Sequence, residues 1–592
     1  MTVQCIAPKN SPASRCRVVP NFHSEATRPQ PPSVRTYTIV SEQKRSTPNL
    51  LNASEREALR QRILQAEKDL RTMKDDYNAS APVNRLPVEV LSDIFVETAL
   101  IDAWFYNSPS EREYFSWIHL AHVCRDWREV VFNCTRLWSR IAFFDKAVTE
   151  FMLTQSKDAP LTIEYDPPRS QDDSEDESAD SNAPDLNYIT LKLPSQAHRI
   201  ASIKSFGDPA YLSKLKGPAN ILEKVELESN HGEDLPKEFL QKGAPLLKHL
   251  KIHRIAFKWS VLPLNSQLTT LDLHNNLSPL PKKRPSSNTF LETISSLPLL
   301  QTLSLVDYLP QDWTLAMALT KRAPTICPEL RFLTLEDSSE YAINNFLQAV
   351  NAPKAIKSDI AFNESLGEKF VHILHGFFRA FDKFSNSGKK LGVRKLSVEE
   401  WRKDVATFYF TFVERIDCPS SKLILRLRKP TMSTCAYLRG FRELSLVDLS
   451  PLQYLRICPT FPNSYPACDW ILLFGELKEL ATIYVQSTSI QDFCMALNNE
   501  VEEGETRAQG LAFPCLSAIT LDQVQFWGHP EAPDDVEYLI TTLASRPEGH
   551  RIRKLDISEC HDFRKSDYQA IKTRLPDLDV TFDGHIHINI YL

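Results

Sequence analysis

The sequence predicts an α+β protein in which a small all-α domain near the N-terminus precedes a long, irregular α/β repeat array. Two patterns carry this prediction: apolar residues recur at helical spacing from 82 to 145, and a short apolar motif returns many times beyond residue 220. The chain has 592 residues, 42% of them hydrophobic, and can therefore bury more than one core.

Composition and charge exclude several classes of function. A net charge of −6, from 69 basic and 75 acidic residues, argues against a protein that neutralises nucleic-acid phosphates. No apolar stretch has the length of a signal peptide or a membrane span. The 12 cysteines lack metal-binding spacing, so we expect reduced thiols and neither a metal nor another cofactor. These features predict an intracellular protein, cytoplasmic or nuclear or both, whose partners include neither nucleic acid nor membrane.

The N-terminal segment combines a polar tail with one helix. Residues 1–50 are rich in Pro, Ser, Arg and Thr without periodicity and are predicted to be disordered. Ser54-x-x-Glu57 has the pattern of a capping box and predicts a helix over 54–77. Its apolar residues, in steps of four and three, form the seam of a short coiled coil: Leu59, Ile63, Ala66, Leu70, Met73 and Tyr77. We expect the seam to fold back onto its own chain, because three heptads containing an alanine make a weak dimer; dimerisation is the alternative.

The stretch RLPVEVLSDIFVET, 85–98, predicts a second helix with one broad apolar face. Pro87 suits the first helical position, where its missing N–H would have no partner. Apolar residues then recur at helical spacing through Val90, Leu91, Ile94 and Phe95, and a similar pattern follows from 116 to 141. Two or three short helices cannot bury every apolar face they carry, so some apolar surface should remain for a partner.

Three blocks in this region carry a resemblance to a known family. They are Leu86-Pro87-x-Glu89-Val90-Leu91-x-x-Ile94-Phe95, Val123-Cys124-x-x-Trp127-Arg128 and Leu137-Trp138. In this order they resemble the F-box, in the variant found in large fungal families of F-box-like proteins, over residues 82–145. The connection IDAWFYNSPSEREY is longer than in the compact pattern, which affects the path of the loop.

The resemblance implies a partner and a core. It implies docking on a Skp-type adaptor of a cullin-based, SCF-type ubiquitin ligase by the following side chains: Leu86, Pro87, Val90, Leu91 and Ile94. It implies a domain core formed by four others: Phe95, Val123, Trp127 and Trp138. The physical mode would be helix-in-groove recognition, in which apolar anchors on consecutive turns enter a hydrophobic cleft.

An acidic segment interrupts the chain at 166–185. The run DPPRSQDDSEDESADSNAPD repels itself and lacks large apolar residues, which predicts a disordered, solvated loop. Ser174 and Ser178 stand in acidic surroundings that an acidophilic kinase could use, so a phosphorylation switch is the alternative to a plain linker.

Beyond residue 220 a motif recurs that consists of an apolar residue, two residues, an apolar residue, one residue and an apolar residue; its first five copies start 21 to 32 residues apart, and the later ones are spaced less regularly. The first copies are Leu222/Val225/Leu227, Leu247/Leu250/Ile252, Leu268/Leu271/Leu273, Leu300/Leu303/Leu305 and Leu330/Leu333/Leu335. Later copies are Val393/Leu396/Val398, Phe441/Leu444/Leu446, Leu480/Ile483/Val485, Leu516/Ile519/Leu521, Ile552/Leu555/Ile557 and Leu575/Leu578/Val580. Asn230, Asn276 and Cys560 fall at the Asn/Cys position of leucine-rich repeats. The pattern predicts an irregular α/β leucine-rich-repeat solenoid over 186–592, with an inserted helix near 365–384.

Residues between the apolar motif positions should point out of the strands as a polar strip. These are Lys224, Glu226, Lys251, Asp272, Ser304, Thr334, Ser397, Ser445, Thr520 and Asp556. The strip is either a ligand-binding surface or ordinary solvated strand surface.

Enzymatic motifs are missing from the sequence. It contains no G-x-S-x-G elbow, no H-E-x-x-H and no phosphate-binding glycine loop, and His585 and His587 fit a surface strand better than a metal site. We therefore expect no enzyme. The favoured hypothesis is a substrate-recognition subunit that binds the adaptor through the F-box-like helices and a protein substrate through the solenoid. The alternative is an interaction scaffold whose F-box-like helices cap the solenoid's N-terminus.

Overall fold

A computed structural model describes most of the chain, as a mixture of helices and strands. The described residues are 52–105, 114–143, 146–165, 192–215, 217–229, 232–275, 284–313, 325–363, 370–384, 392–401, 405–413, 421–430, 432–459, 465–500, 508, 510–526 and 534–585. The chain divides into two units, Met1–Tyr77 and Asn78–Leu592. Residues 1–50, the acidic segment 166–185, Asn230, Asn276 and His587 lie outside the described residues.

The α-helices are numbered in chain order. They are α1 Ala53–Ser80, α2 Val88–Phe105, α3 Arg125–Asn133, α4 Lys146–Gln155, α5 Ser287–Ser295, α6 Glu340–Ala349, α7 Phe370–Phe384, α8 Thr434–Glu443, α9 Ala467–Trp470, α10 Ile490–Leu497, α11 Asp535–Ser545 and α12 Lys565–Arg574. Short 3₁₀ helices occupy Pro82–Arg85, Ser116–His122, Ala197–Arg199, Pro209–Lys214 and Trp259–Val261, and a π-helix occupies Ile471–Gly475. Among the described residues, no helix is both long enough and apolar enough to cross a bilayer.

The strands are also numbered in chain order. They are β1 Arg140–Ala142, β2 Leu161–Tyr165, β3 Ile200–Phe206, β4 Lys224–Glu228, β5 His249–His253, β6 Thr270–His274, β7 Thr302–Val306, β8 Thr325–Ile326, β9 Phe332–Asp337, β10 Val350–Asn351, β11 Lys357–Phe362, β12 Val393–Trp401, β13 Val405–Phe412, β14 Lys422–Arg428, β15 Tyr454–Cys458, β16 Thr482–Gln486, β17 Ala518–Asp522, β18 Lys554–Ser558 and β19 Asp579–Phe582.

Seventeen of these strands form one sheet. From β1 to β7 each strand pairs in parallel with the next, and the parallel order continues through β9, β11 and β14. β13 then pairs antiparallel with both β14 and β12. β12 pairs in parallel with β15, and parallel pairing resumes through β19. β8 and β10 make a separate two-stranded sheet.

The register of the parallel strands places equivalent motif residues side by side. Val225 pairs with Leu250, Leu250 with Leu271, Leu271 with Leu303 and Leu303 with Leu333. Each of these five side chains is at most 1% exposed. The motif thus builds a continuous apolar row along one face of the sheet, because alternate side chains of a strand share a face.

The described part of the first unit is Asn52 and helix α1, whose last three residues belong to the second unit, and none of the helix residues is buried. The helix starts earlier than the sequence predicts, and its capping box is formed by Asn52 and Glu55 instead of Ser54 and Glu57. The Asn52 backbone N–H donates to Glu55 Oε2, and the Glu55 N–H donates to Asn52 Oδ1, both at 2.9 Å. Asn and Ser cap helices about equally well, so pattern alone could not choose between two candidates two residues apart.

One copy of the predicted strand motif is wrong. Phe441 lies inside α8. Leu444 is the C-cap residue of that helix, and Leu446 lies in the connection that follows. The strand comes later, as β15, where the same motif is present as Leu452, Leu455 and Ile457, all fully buried. In the last predicted copy, Leu575 is only half-buried. Short apolar runs do not distinguish the end of a helix from a strand.

The inserted helix is α7, Phe370–Phe384, which starts later than the predicted 365. Its inner face is buried at Ile373, Leu374, Phe377 and Phe381, and it packs on α6. Phe377 and Phe381 stack with ring centroids 5.9 Å apart. The helix therefore adds a local aromatic core beside the strands β9 to β14.

Candidate protein-docking site

The helical domain that starts at Pro82 packs α2, the 3₁₀ helix Ser116–His122 and α3 against one another. On α2 the inward face carries Leu91, Phe95 and Val96, exposed by 4%, 1% and 9%. The core continues into α3 through Val130 and Val131, both buried. Residues around positions 91, 95 and 99 share a face because a helix turns by about 100° per residue.

Two tryptophans fix this core through their ring N–H groups. Trp127 lies 4.8 Å from Phe95 between ring centroids, and its Nε1 donates to Asn84 Oδ1 at 2.5 Å. Asn84 Nδ2 in turn donates to the Asn78 carbonyl at 2.6 Å. This chain of hydrogen bonds ties the segment that enters α2 to α3, because a buried indole N–H needs an acceptor.

Trp138 closes the other side of the domain. It is 1% exposed, its Nε1 donates to the Val131 carbonyl at 2.9 Å, and its ring lies 5.0 Å from Trp117 in an edge-on arrangement. Phe132 stacks on it at 5.6 Å, and Phe151 of α4 approaches edge-on at 5.1 Å. The sequence-predicted core residues Phe95, Trp127 and Trp138 thus meet in one cluster, with Trp127 half-buried.

The opposite side of α2 is apolar and exposed. Val90 and Ile94 are 42% and 43% exposed, and the preceding Leu86 and Pro87 are exposed as well, Leu86 by 37%. We call these four residues the docking face. Residues 90 and 94 lie one turn apart on the side of the helix away from Leu91 and Phe95, so the domain's own core cannot cover them.

Leu91 does not belong to the docking face. It is 4% exposed and packs in the core, so as an exposed anchor for a partner it is a wrong prediction. The reason is geometric: a turn of about 100° separates Leu91 from Val90, and it directs Leu91 to the same side as the buried Phe95.

Val123 also departs from the prediction. Placed in the core by the sequence pattern, it is 56% exposed. It caps the 3₁₀ helix Ser116–His122 and connects it to α3, where its N–H donates to the Leu120 carbonyl. A residue at such a junction has no neighbouring turn to cover its side chain.

Further exposed apolar residues on α2 extend the apolar surface beyond the predicted set. Ile101 is 56% exposed and follows Ile94 by seven residues, which places it on the same side of the helix, and Val88 is 56% exposed at the helix start. The spacing 90, 94, 101 is present in the sequence, but the predicted periodicity ends at Thr98. Beside this surface Asp93 pairs with Arg136 at 2.5 Å, an exposed ion pair.

The helical domain ends in a strand of the large sheet. β1 pairs in parallel with β2, and Arg140 Nε lies 2.7 Å from Glu164 Oε2 across the pair. Burial lowers the pKa of Arg140, but the Glu164 carboxylate outweighs it and raises that pKa above its usual range. Tyr114 donates its hydroxyl to the Arg140 carbonyl at 2.9 Å, and burial raises its pKa well above the usual value. Backbone and side-chain contacts therefore join the domain to the sheet.

The sheet face opposite the apolar rows carries most of the predicted polar strip; we call it the polar face. Lys224, Glu226, Lys251, Asp272, Thr334, Ser397, Thr520 and Asp556 are half-buried or exposed in strands. Ser304 is 8% exposed and lies 2.6 Å from His274 Nε2. The prediction that Ser445 belongs to this strip is wrong, because Ser445 lies in the turn after α8 with φ +50° and not in a strand.

Comparison with known proteins identifies the helical domain. The F-box-like family matches residues 83–143, the segment that holds α2, α3, the docking face and β1. No curated protein matches the chain. The chain therefore carries an F-box-like domain, a module that generally binds Skp-type adaptors.

Proposed function

We propose that this protein is a substrate-recognition subunit of a cullin-based, SCF-type ubiquitin ligase. The docking face would bind the Skp-type adaptor, and the polar face of the sheet would bind a protein substrate. The observation that carries the proposal is the exposed apolar side of α2, with Val90 and Ile94 more than 40% exposed at the positions that the F-box resemblance assigns to the adaptor.

An adaptor groove would remove this surface from water. Full burial of a side chain such as Val or Ile stabilises a complex by roughly 1.5–3 kcal/mol, so a few anchors suffice for specific binding. Leu86 and Pro87 precede the helix, and Val90 and Ile94 lie on its first two turns, so the four present a short ridge for helix-in-groove recognition.

We also propose that the sheet is an irregular leucine-rich-repeat-like solenoid, of the kind fused to fungal F-box-like domains. Support comes from the recurring motif, the row of paired motif residues and the helices that connect successive strands. Such an array offers an extended face to a protein ligand, and the polar face has the residue types for that role.

The chain itself would catalyse no bond chemistry. Its contribution would be proximity and orientation, raising the local concentration of substrate lysines near the ubiquitin-charged enzyme. Leu91 supports this function indirectly, because its burial holds α2 in the orientation that exposes Val90 and Ile94.

The test measures binding of the full chain to a purified Skp-type adaptor. Ile94→Asp should reduce the affinity by at least tenfold, because a charge at the docking face cannot enter an apolar groove. Leu246→Asp is the matched control, since Leu246 is equally exposed, at 43%, but lies in a turn of the sheet region. Absence of binding by the wild type, or equal losses in both variants, would overturn the proposal.

The alternative is a scaffold in which the F-box-like helices only cap the sheet. The pairing of β1 with β2 supports a capping role, because it covers an edge that would otherwise be open. The scaffold and ligase functions differ in adaptor binding: the scaffold predicts that Ile94→Asp changes neither binding to the adaptor nor thermal stability.

A further inference from the structure

Two neighbouring strands bring His253, Asp272 and His274 together on the polar face. His253 is the last residue of β5 and pairs in register with His274, the last residue of β6. Asp272 precedes His274 by two residues and so shares its face. The three side chains are half-buried, with exposures of 15%, 22% and 24%.

The potential ligand atoms converge on one point. His274 Nε2 lies 2.8 Å from Asp272 Oδ1, and His253 Nε2 lies 3.2 Å from Asp272 Oδ2. The imidazole rings stack face to face, with centroids 4.0 Å apart and planes inclined by 7°. One ligand atom from each residue lies within 4.8 Å of the other two.

Two atoms of this cluster lack well-directed hydrogen bonds. His253 Nε2 and Asp272 Oδ1 are buried, and no hydrogen bond of acceptable angle reaches either, although both have close charged contacts. A carboxylate that faces two imidazole nitrogens offers one oxygen and two nitrogen donors, a set that suits a divalent cation.

We propose that His253, Asp272 and His274 form a binding site for a divalent transition metal, with zinc the best match. Imidazole nitrogen and carboxylate oxygen both bind zinc at about 2.0–2.2 Å, so three donors this close can share one ion. Calcium and magnesium are disfavoured because they require mainly oxygen ligands. Three protein ligands leave a coordination position open for water or for a side chain of a bound protein.

The test titrates the full chain, first treated with a chelator, with Zn²⁺ and with Co²⁺. We expect one ion bound at this site, and Co²⁺ absorption of nitrogen and oxygen ligation without thiolate charge-transfer bands, which separates the site from the cysteines. Asp272→Asn and His274→Ala should each weaken binding at least tenfold. His249→Ala is the matched control, because His249 lies on the same strand as His253, at its other end.

Each outcome is decisive for the metal site. Metal binding that is lost in Asp272→Asn but kept in His249→Ala supports it, provided that both metal-free variants melt within a few degrees of the wild type. If the wild type binds no Zn²⁺, or Asp272→Asn binds as tightly as the wild type, the cluster is a histidine–carboxylate ion pair only.

A different observation concerns α1 in the first unit. The described residues leave its seam exposed: Leu59, Ile63, Leu70 and Met73 are exposed by 43%, 51%, 48% and 61%. The expected folding back of this seam onto its own chain stays a prediction. A heptad seam of this kind is matched in shape by another helix with the same repeat.

The charges that flank the seam indicate which helix would pair with α1. With Ile63 and Leu70 at the a positions, the g positions are Glu55, Arg62 and Asp69, and the e positions are Arg60, Glu67 and Lys74. In a parallel, in-register pair, each g residue faces the e residue five positions later in the partner helix. All three g–e pairs then join opposite charges, which favours a second copy of the same helix.

We infer that α1 mediates a parallel homodimer of the full chain. The seam contains Ala66 and spans only three heptads, so the dimer should dissociate at accessible concentrations. Each particle would then carry two docking faces.

Analytical ultracentrifugation of the full chain over a concentration series tests this inference. Ile63→Asp should raise the dimer dissociation constant at least tenfold, whereas Leu64→Asp, at an equally exposed position off the seam, should not. Arg62→Glu should raise it roughly fivefold by placing like charges opposite Glu67, and Arg62→Glu/Glu67→Arg should restore it. Residues five apart are not neighbours on one helix, so this rescue can arise only between chains. A monomer at every concentration, or failure of the rescue, overturns the parallel dimer.

Discussion

The docking face and the polar face of the sheet both reach solvent, but they differ in the chemistry of their side chains. On the polar face, charges pair within single strands, as Lys224 does with Glu226 at 2.9 Å and Lys554 with Asp556 at 2.6 Å. On the docking face, Val90 and Ile94 are 42% and 43% exposed and have no polar side-chain group that could pair. Exposed apolar surface of this kind is typical of a protein-interaction site, whereas the exposed ion pairs of the polar face are individually weak.

The largest expected effect separates the two sides of α2. Leu91→Ala should lower the free energy of unfolding by about 2–5 kcal/mol, because it leaves a cavity in the domain core. Ile94→Ala, on the exposed side, should change it by less than about 0.5 kcal/mol. Urea denaturation followed by tryptophan fluorescence measures both. Equal destabilisation by the two variants would contradict the assignment of Leu91 to the core and Ile94 to the docking face.

A pH-dependent effect comes from the sheet region. Burial and the neighbouring Asp337 raise the pKa of Asp307 to about 6, and Arg284 partly opposes them. A raised carboxyl pKa stabilises the fold below the ordinary value near 4, and this contribution is lost as pH rises through about 6. A tenfold change in a group's proton affinity corresponds to about 1.4 kcal/mol, so the loss should amount to about 1–3 kcal/mol.

Asp307→Asn tests this pH dependence, since the amide resembles the neutral acid. The variant should be less dependent on pH than the wild type between about pH 4.5 and 7.5, and more stable relative to it at the upper end. Thermal melting of both proteins across this range measures the difference. Parallel pH profiles would show that Asp307 does not titrate there.

The contact between the F-box-like domain and the sheet should have a smaller effect. Glu164→Gln removes the charge that pairs with Arg140 at 2.7 Å and leaves a partly buried guanidinium without its carboxylate. We expect a loss of about 1–2 kcal/mol in unfolding free energy, less than for a fully buried pair. Hydrogen exchange of β1 amides should rise more than that of β17 amides, because the pair joins β1 to β2 and includes no residue of β17.

The smallest effect is expected at an exposed ion pair of the sheet. Lys248 and Glu223 lie 2.9 Å apart with side chains 45% and 49% exposed. Lys248→Gln should change the unfolding free energy by about 0–1 kcal/mol, and the change should shrink at high salt. A larger, salt-independent change would indicate that this pair supports the strand register.

The repeating strands could largely be predicted from the sequence because each motif residue has a single physical requirement. Leu250, Leu271 and Leu303 must all be buried for the sheet to form, and they are. Phe441 could not be separated from a strand residue, since a helix end and a strand can present the same apolar spacing. The antiparallel pairing of β12, β13 and β14 could not be predicted either, although Val393/Leu396/Val398 predicted a strand at β12, because local periodicity does not specify pairing partners.

The two candidate sites also differ in how far the sequence could predict them. The exposed side of α2 follows from helical geometry, and closer attention to the turn of about 100° per residue would have removed Leu91 and added Ile101. The cluster of His253, Asp272 and His274 depends on the register between β5 and β6, which only the assembled sheet supplies.

The short strand β1 has a mechanical consequence. It is the last element of the F-box-like segment and the first strand of the sheet, with no flexible tether between the two roles. In the proposed ligase, the backbone hydrogen bonds between β1 and β2 would set the distance and the orientation of a bound substrate relative to the ubiquitin-charged enzyme. Only lysines at a suitable distance and angle would then be modified, so the selection of sites on the substrate would be encoded in three residues of backbone pairing.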